Sequence, residues 1–287
     1  MIPKGKLIII GGHESKGDVP GENLDIQKKT SPTSHFEILG TLISKIPRTH
    51  HIIEIIAAAS SIPREMEELY IHSYKQVGFT HVGIIQVENE ADAQDSLLIK
   101  RVQNAHAVFF TGGDQNKLMS VIGQSPLLTA IKNKYTEDKH FIVGGTSAGA
   151  MAMSETIIGG GPIVEALFKS DIRISKGMNM IQGVIIDTHF IKRGRFARLA
   201  HAIALNPSCL GIGLGEDTAL IISEGNHAEC IGSGMVILID GSKMGLTNID
   251  VADDSTPIVV DNLTVSILAE GSSYLIQEKK FGLAAGK

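Results

Sequence analysis

The stretch Phe141-Ile142-Val143-Gly144-Gly145-Thr146-Ser147-Ala148-Gly149-Ala150-Met151-Ala152-Met153 passes from a short apolar run, through a glycine-flanked serine, into good helix formers. The apolar run at its start reads as a buried strand, and alanine and methionine favour a helix after it. Between them, Gly145-Thr146-Ser147-Ala148-Gly149 has the form G-x-S-x-G, in the strand–turn–helix setting that this motif needs. The residues two before and two after the serine must be tiny so that the chain can double back. Ser147 is therefore the candidate nucleophile, and the N–H of Ala148 at the helix start is a candidate donor to a developing oxyanion. Taken alone, the motif is equally a glycine-rich turn with an ordinary serine; its setting favours the catalytic reading. No phosphate-binding G-x-G-x-x-G or G-x-x-x-x-G-K-[ST] follows a strand, and no cofactor is expected.

Working outward, residues 7–10 (LIII) read as a buried strand closed by Gly11-Gly12. Ser34 and Glu37 stand at capping-box spacing before a helix through Ile46, with Phe36, Leu39, Ile43 and Ile46 on one face. Residues 51–58 read as a second strand, followed by a helix over 63–77 with Pro63 in its first turn. Residues 83–87 and 107–110 are further short apolar runs, the second closing with Thr111-Gly112-Gly113-Asp114-Gln115. Such alternation predicts an α/β fold with a mainly parallel sheet covered by helices on both faces. Residues 184–190, 210–214, 219–223, 235–240 and 263–268 read as strands separated mostly by turns. They suggest antiparallel additions on the edge of the sheet, within one domain spanning residues 1–287. Residues 18–32 are polar and irregular and read as a loop.

Apolar residues make up 43% and charged residues 20%, a balance that favours a globular chain over a disordered one. A net charge of −5, no tryptophan and only 5% aromatics weigh against nucleic-acid and membrane-surface partners. No apolar run approaches the length of a membrane span, and 7–10 is too short for a signal-peptide core. Cys209 and Cys230 form no CxxC pair and read as small core residues of a reduced, cytoplasmic protein. His13-Glu14 and His50-His51 are close pairs, but no HExxH or comparable spacing appears. They read as surface or loop residues, and no metal is expected.

A serine hydroxyl needs a base. His189 stands at the end of the strand read over 184–186, beside Asp187 and Thr188, where an α/β sheet places its active-site edge. Glu216 and Asp217, in a turn between two apolar runs, are both candidates for the carboxylate that orients the imidazole. A helix over 195–205, with Phe196, Leu199 and Ile203 on one face, begins among Arg193, Arg195 and Arg198. The macrodipole disfavours cations there by about 0.3–1 kcal/mol each. They either hold substrate carboxylates or pair with Asp187, Glu216 or Asp217, and at least one is expected to face substrate.

These residues, in four separated blocks, resemble cyanophycinase and, more distantly, the aspartyl dipeptidase peptidase E. The blocks are residues 7–12, 109–115, 144–150 and 187–199 continuing to 211–220, spread in order along most of the chain. The resemblance implies a class I glutamine-amidotransferase-like, flavodoxin-like sheet and a Ser147–His189–Glu216 triad. It also implies an oxyanion hole from the N–H groups of Gly113 and Ala148. Gln115, Asp187, Arg193, Arg195 and Arg198 would line the substrate cleft, and Asp114 or Asp187 could hold a substrate guanidinium. Thr188 would line the cleft as well, at the place where the family often has glutamine, so a long amide is absent there. Cyanophycinase-like enzymes cut cyanophycin, a polyaspartate whose β-carboxyls carry arginine, into β-aspartyl-arginine dipeptides, and are typically homodimers. Peptidase E-like enzymes are shorter, and Arg193-x-Arg195-x-x-Arg198 favours the cyanophycinase side.

A serine exopeptidase acting on cyanophycin is therefore expected. The alternatives are a dipeptidase or isopeptidase for small aspartyl or isoaspartyl peptides, and a non-catalytic relative that binds an acidic or arginine-rich ligand. A metallo-hydrolase is weaker than either.

Overall fold

Leu7, Ile8, Ile9 and Ile10 are all fully buried because both faces of their strand are covered. The computed structural model of the chain describes residues 1–14, 37–46, 51–161 and 168–282. Its first half runs β1 (Lys6–Ile10), α1 (Glu37–Ser44), β2 (Ile52–Ile56), α2 (Pro63–Gln76), β3 (His81–Ile84), α3 (Ser96–Asn104), β4 (Ala107–Phe110), α4 (Gln115–Ile122) and α5 (Pro126–Glu137). The middle holds β5 (Ile142–Thr146), α6 (Ala148–Met151), β6 (Thr156–Gly160), β7 (Arg173–Lys176), β8 (Val184–Asp187) and α7 (Phe196–Leu205). Strands β9 (Leu210–Leu214), β10 (Thr218–Ser223), β11 (His227–Gly232), β12 (Val236–Asp240), β13 (Thr264–Leu268), β14 (Ser273–Leu275) and β15 (Lys280–Phe281) follow.

A nine-stranded sheet has the order β15-β14-β11-β10-β1-β5-β4-β2-β3. The five strands from β1 to β3 are mutually parallel, and β10 joins β1 antiparallel. Successive side chains of a strand point to opposite faces. Leu7, Ile9, Val108, Phe110 and Val143 accordingly pack into one apolar core, and Ile8, Ile10, Ala107, Phe109 and Ile142 into the other. Glu54 of β2, a buried acid in this largely apolar set, is matched by Arg101 of α3, whose Nε donates to it at 3.1 Å.

The parallel α/β core agrees with the sequence pattern; the differences lie at element ends and in the second half. β3 sits two residues earlier than expected. The run expected to continue to residue 190 stops at Asp187, because His189 adopts a left-handed backbone (φ 49) that no strand can hold. In α7, Leu199 and Ile203 face the core, while Phe196 is 45% exposed. Ser34, Phe36, His50 and the loop over 18–32 lie outside the described residues.

The expected edge additions divide in two. Of the five, only β10 extends the main sheet, where β11, β14 and β15, which were not expected, continue it; β8, β9, β12 and β13 form a separate four-stranded sheet in which β8 and β9 are parallel. Gly213 in β9 leaves room for the residues that close this unit: a Cβ there would stand 2.6 Å from the Phe190 ring. Cys230 is a buried core thiol, Cys209 is only partly buried, and both are free. Among the described residues, no helix is long and apolar enough to cross a membrane.

Candidate active site

Ser147 occupies the turn between β5 and α6 with φ 52 and ψ −116, a backbone that non-glycine residues rarely adopt. Tiny neighbours make the turn feasible. A Cβ on Gly145 would lie 2.8 Å from the Gly149 carbonyl carbon, and one on Gly149 would overlap the Phe110 carbonyl. The Ser147 N–H donates to the Ile10 carbonyl at 3.0 Å, which ties the turn to the end of β1.

The next two carbonyls of that strand end hold the other candidate segments. Gly11 O accepts from the His189 N–H at 2.9 Å, and Gly12 O accepts from the Asp217 N–H at 3.0 Å. Gly12 cannot carry a side chain, since its Cβ would fall 2.5 Å from His189 Nε2. The result is a continuous relay. Ser147 Oγ is 3.0 Å from His189 Nε2, and His189 Nδ1 is 2.8 Å from Glu216 Oε1. An ionised carboxylate only accepts, so the proton sits on Nδ1 and the Nε2 lone pair faces the serine.

Charge completes the arrangement. Burial pushes His189 below its ordinary value, Arg193 and Arg195 act in the same direction, and Glu216 opposes them. Burial pushes Glu216 up, but hydrogen bonds from His189 and Lys192 outweigh it and hold the carboxyl below its usual range. At neutral pH the imidazole is thus neutral and the carboxylate ionised, the states needed for a base and its orienting partner.

Lys192 and His13 were not singled out as site residues by the sequence. Lys192 Nζ lies 3.1 Å from Glu216 Oε2, occupying the oxygen that His189 does not. His13, three-fifths exposed, has Nε2 4.0 Å from Glu216 Oε1 and its ring edge-on to His189. Lys192 follows His189 by three residues in the same turn, a spacing that could have flagged it. Glu14 corrects the surface reading of the His13-Glu14 pair. It is 3% exposed and accepts from the hydroxyls of Tyr70 and of Thr146 (2.7 Å), the residue before Ser147.

The residues expected in the cleft separate into buried and open groups. Asp187 is completely buried and accepts from Arg195 Nη1 at 3.0 Å, from Arg198 Nε at 2.9 Å and from Arg198 Nη2. Thr188 is also completely buried; its N–H donates to Asp187 and its carbonyl accepts from Arg195. The expectation that Asp187, Thr188, Arg195 and Arg198 line the cleft is therefore corrected: they form an internal ion cluster beneath His189, and the arginines at the helix start pair with an acid. Arg193 alone of the three is exposed, and its guanidinium has no hydrogen bond or ion pair among the described residues.

Asp217 does not reach His189; it accepts from Ser233 Oγ at 2.6 Å. A Cβ on Gly112 would stand 3.4 Å from Ser147 Cβ, so the Gly112-Gly113 turn lies beside the candidate nucleophile. Gly113 has φ 141, and its missing Cβ leaves room for the Ala59 carbonyl. Ala148 opens α6, so its N–H has no intrahelical acceptor. Asp114 is exposed and caps α4 through the Asn116 N–H at 2.8 Å, while Gln115 Nε2 donates to the Ile158 carbonyl at 2.7 Å. No cluster of three or more potential metal ligands occurs among the described residues.

Fold and site together define a serine hydrolase on a doubly covered α/β sheet. The chain belongs to peptidase family S51, whose signature matches residues 37–230, and it is a serine-type peptidase. It is 32% identical over 271 residues to the cyanophycinase of Synechococcus elongatus, covering 94% of this chain and 79% of that one. It is 31% identical to the cyanophycinase of Geminocystis herdmanii (strain PCC 6308), covering 94% and 93%. Among solved structures, a peptidase from an acI-B1 Actinobacterium shares the fold with a TM-score of 0.64 at 20% identity, covering 94% of this chain and 96% of that one.

Two consequences can be measured. Asp187→Asn leaves two buried guanidinium groups without their counter-charge, and should lower the unfolding free energy by about 3–5 kcal/mol in denaturant titration. An unchanged stability with a raised KM would restore Asp187 as a substrate contact. In the pH profile of kcat/KM, the acid limb should have its midpoint below the ordinary histidine value, because only neutral His189 can accept the proton. Arg193→Met removes a cation that opposes imidazole protonation and should move that midpoint upward; a downward move would contradict the assignment of His189 as the base.

Proposed function

We propose that this peptidase hydrolyses cyanophycin from its end, releasing β-aspartyl-arginine dipeptides through an acyl-enzyme. Ser147 Oγ attacks the scissile carbonyl carbon while His189 Nε2 takes the hydroxyl proton. The oxyanion is met by the N–H groups of Gly113 and Ala148. The tetrahedral intermediate collapses as His189 returns its proton to the leaving amine nitrogen, and the C–N bond breaks. Water then attacks the ester, giving a proton to His189. The Ser147 C–O bond breaks, and the serine recovers the proton. Glu216 stays ionised throughout and steadies the imidazolium.

The observation that carries this reading is the hydrogen-bonded line from Ser147 through His189 to Glu216, in a chain about 30% identical to cyanophycinases over nearly all its length. Exposed Arg193, beside His189, supplies a free guanidinium suited to a substrate carboxylate. Asp114 and Gln115 stand next to Gly113 on the same rim.

We also read residues 1–287 as one domain, acting in the cytoplasm as a homodimer. The two free thiols support a reducing compartment. The edge strand β13, with Val265 and Ile267 about half exposed, supports self-association. Sedimentation equilibrium should give twice the chain mass; a monomer at micromolar concentration would remove the dimer.

Wild-type enzyme incubated with cyanophycin should release β-aspartyl-arginine, identified by mass spectrometry. Ser147→Ala should cut turnover by about 10⁴-fold or more with an unchanged melting temperature. Release of dipeptide by Ser147→Ala at the wild-type rate would remove Ser147 as nucleophile, and no release by wild type would remove the substrate.

A further inference from the structure

A second cleft opens along the sheet edge that bears Ser147. It has a volume of about 350 Å³, an apolar floor that includes Ala57 and Ala58, and four charged side chains in its walls: Arg64, Glu67, Glu88 and Lys117. These come from three places: α2 supplies Arg64 and Glu67, the segment after β3 supplies Glu88, and α4 supplies Lys117.

Its position follows from the sheet order. Ser147 leaves the C-terminal end of β5, Gly112-Gly113 leaves that of β4, Ala57-Ala58 that of β2, and Glu88 follows β3; these strands are consecutive neighbours. At about 4.8 Å per strand, the cleft lies roughly 10–15 Å from the nucleophile, a span of three to four extended residues. The two sites share one support. The segment after β2 that floors the cleft also buttresses the candidate oxyanion turn: Ala59 O accepts from the Asp114 N–H at 2.9 Å, and Ser60 O accepts from Lys117 Nζ at 2.7 Å.

The charges in the cleft do not neutralise one another. Among the described residues, no ion pair joins Arg64 or Lys117 to Glu67 or Glu88, and Lys117 spends one of its three donors on Ser60. Two cations and two anions, unpaired around one cavity, match a ligand that carries both signs. Each unit of an arginylated polyaspartate does so: the arginine is joined through its α-amine, which leaves one guanidinium and one carboxylate free. Carboxylates suit Arg64 and Lys117, guanidinium groups suit Glu67 and Glu88, and the methylene stems suit the alanine floor.

We infer that this cleft is a second binding site for the polymer, holding zwitterionic units three to four residues from the scissile bond. The inference rests on the substrate reading given above. Tethering the chain there raises the effective concentration of its end at Ser147, so the cleft lowers KM for long substrates and leaves the chemical step unaltered.

The test compares wild type with Arg64→Ala/Glu88→Ala, two exposed positions outside the relay, on long cyanophycin and on the dimer of the β-aspartyl-arginine unit. The dimer contains one scissile bond, and its two backbone residues span only about 7 Å. The double variant should lose about tenfold or more in kcat/KM on the polymer, through KM, and stay within about twofold on the dimer. The loss should shrink in high salt, as the wild-type contacts are screened. Equal loss on both substrates, or no loss on the polymer, overturns the cleft assignment while leaving the enzyme's substrate intact. Wild type that cleaves neither substrate overturns both readings.

Discussion

Three consecutive carbonyls at the end of β1, those of Ile10, Gly11 and Gly12, accept main-chain hydrogen bonds of 3.0, 2.9 and 3.0 Å from Ser147, His189 and Asp217. The serine and the histidine are 42 residues apart, and the histidine and Glu216 are 27 apart. Such separations bring side chains to hydrogen-bonding distance only if something fixes each backbone to a common frame. Here the frame is the C-terminal end of a strand buried on both faces and paired on both sides, to β5 and to β10. Ser147 and His189 both sit in left-handed backbone, at about 1–2 kcal/mol each. The bonds to β1 help hold them there, so local strain becomes alignment of the relay.

A second constraint acts from below. Asp187 ends β8 inside the protein and gathers Arg195 and Arg198, while Thr188 and Phe190 on either side of the histidine are bonded to Arg195 and to β9. The turn that bears His189 is thus clamped by charge on one side and by main chain on the other. Burial pushes the Arg195 guanidinium below its ordinary value, and Asp187 opposes that push. A buried ion cluster of this kind adds little net stability over an apolar core, but it is strongly directional. It stands under the turn that carries His189.

Above it, Glu216 is held at both oxygens, by His189 and by Lys192, so its carboxylate has little freedom to swing away from the imidazole. The cations around the site have divided roles: Arg195 and Arg198 are structural, Lys192 fixes the carboxylate, and Arg193 remains open to solvent. One arginine-rich stretch therefore serves both the scaffold and the mouth of the site.

The strand–elbow–helix at Ser147, the doubly covered parallel core and His189 were legible in sequence because each rests on local pattern. An apolar run before the glycine-flanked serine and good helix formers after it supply the setting that the motif alone lacks. The choice between Glu216 and Asp217 was not local: both lie in one turn, and only the pairing of Asp217 with Ser233 and of Glu216 with His189 separates them. Nor was the fate of Asp187, Thr188, Arg195 and Arg198, since burial depends on what packs over a residue and not on its neighbours in the chain. The separate four-stranded sheet was missed for the same reason, as strands that alternate with turns do not say which sheet they join. By itself, then, the sequence determined the elements and the chemical groups available, through periodicity and backbone preference. Tertiary structure alone decided which acid meets the histidine and which arginines reach solvent, because those outcomes are set by distances between segments far apart in the chain.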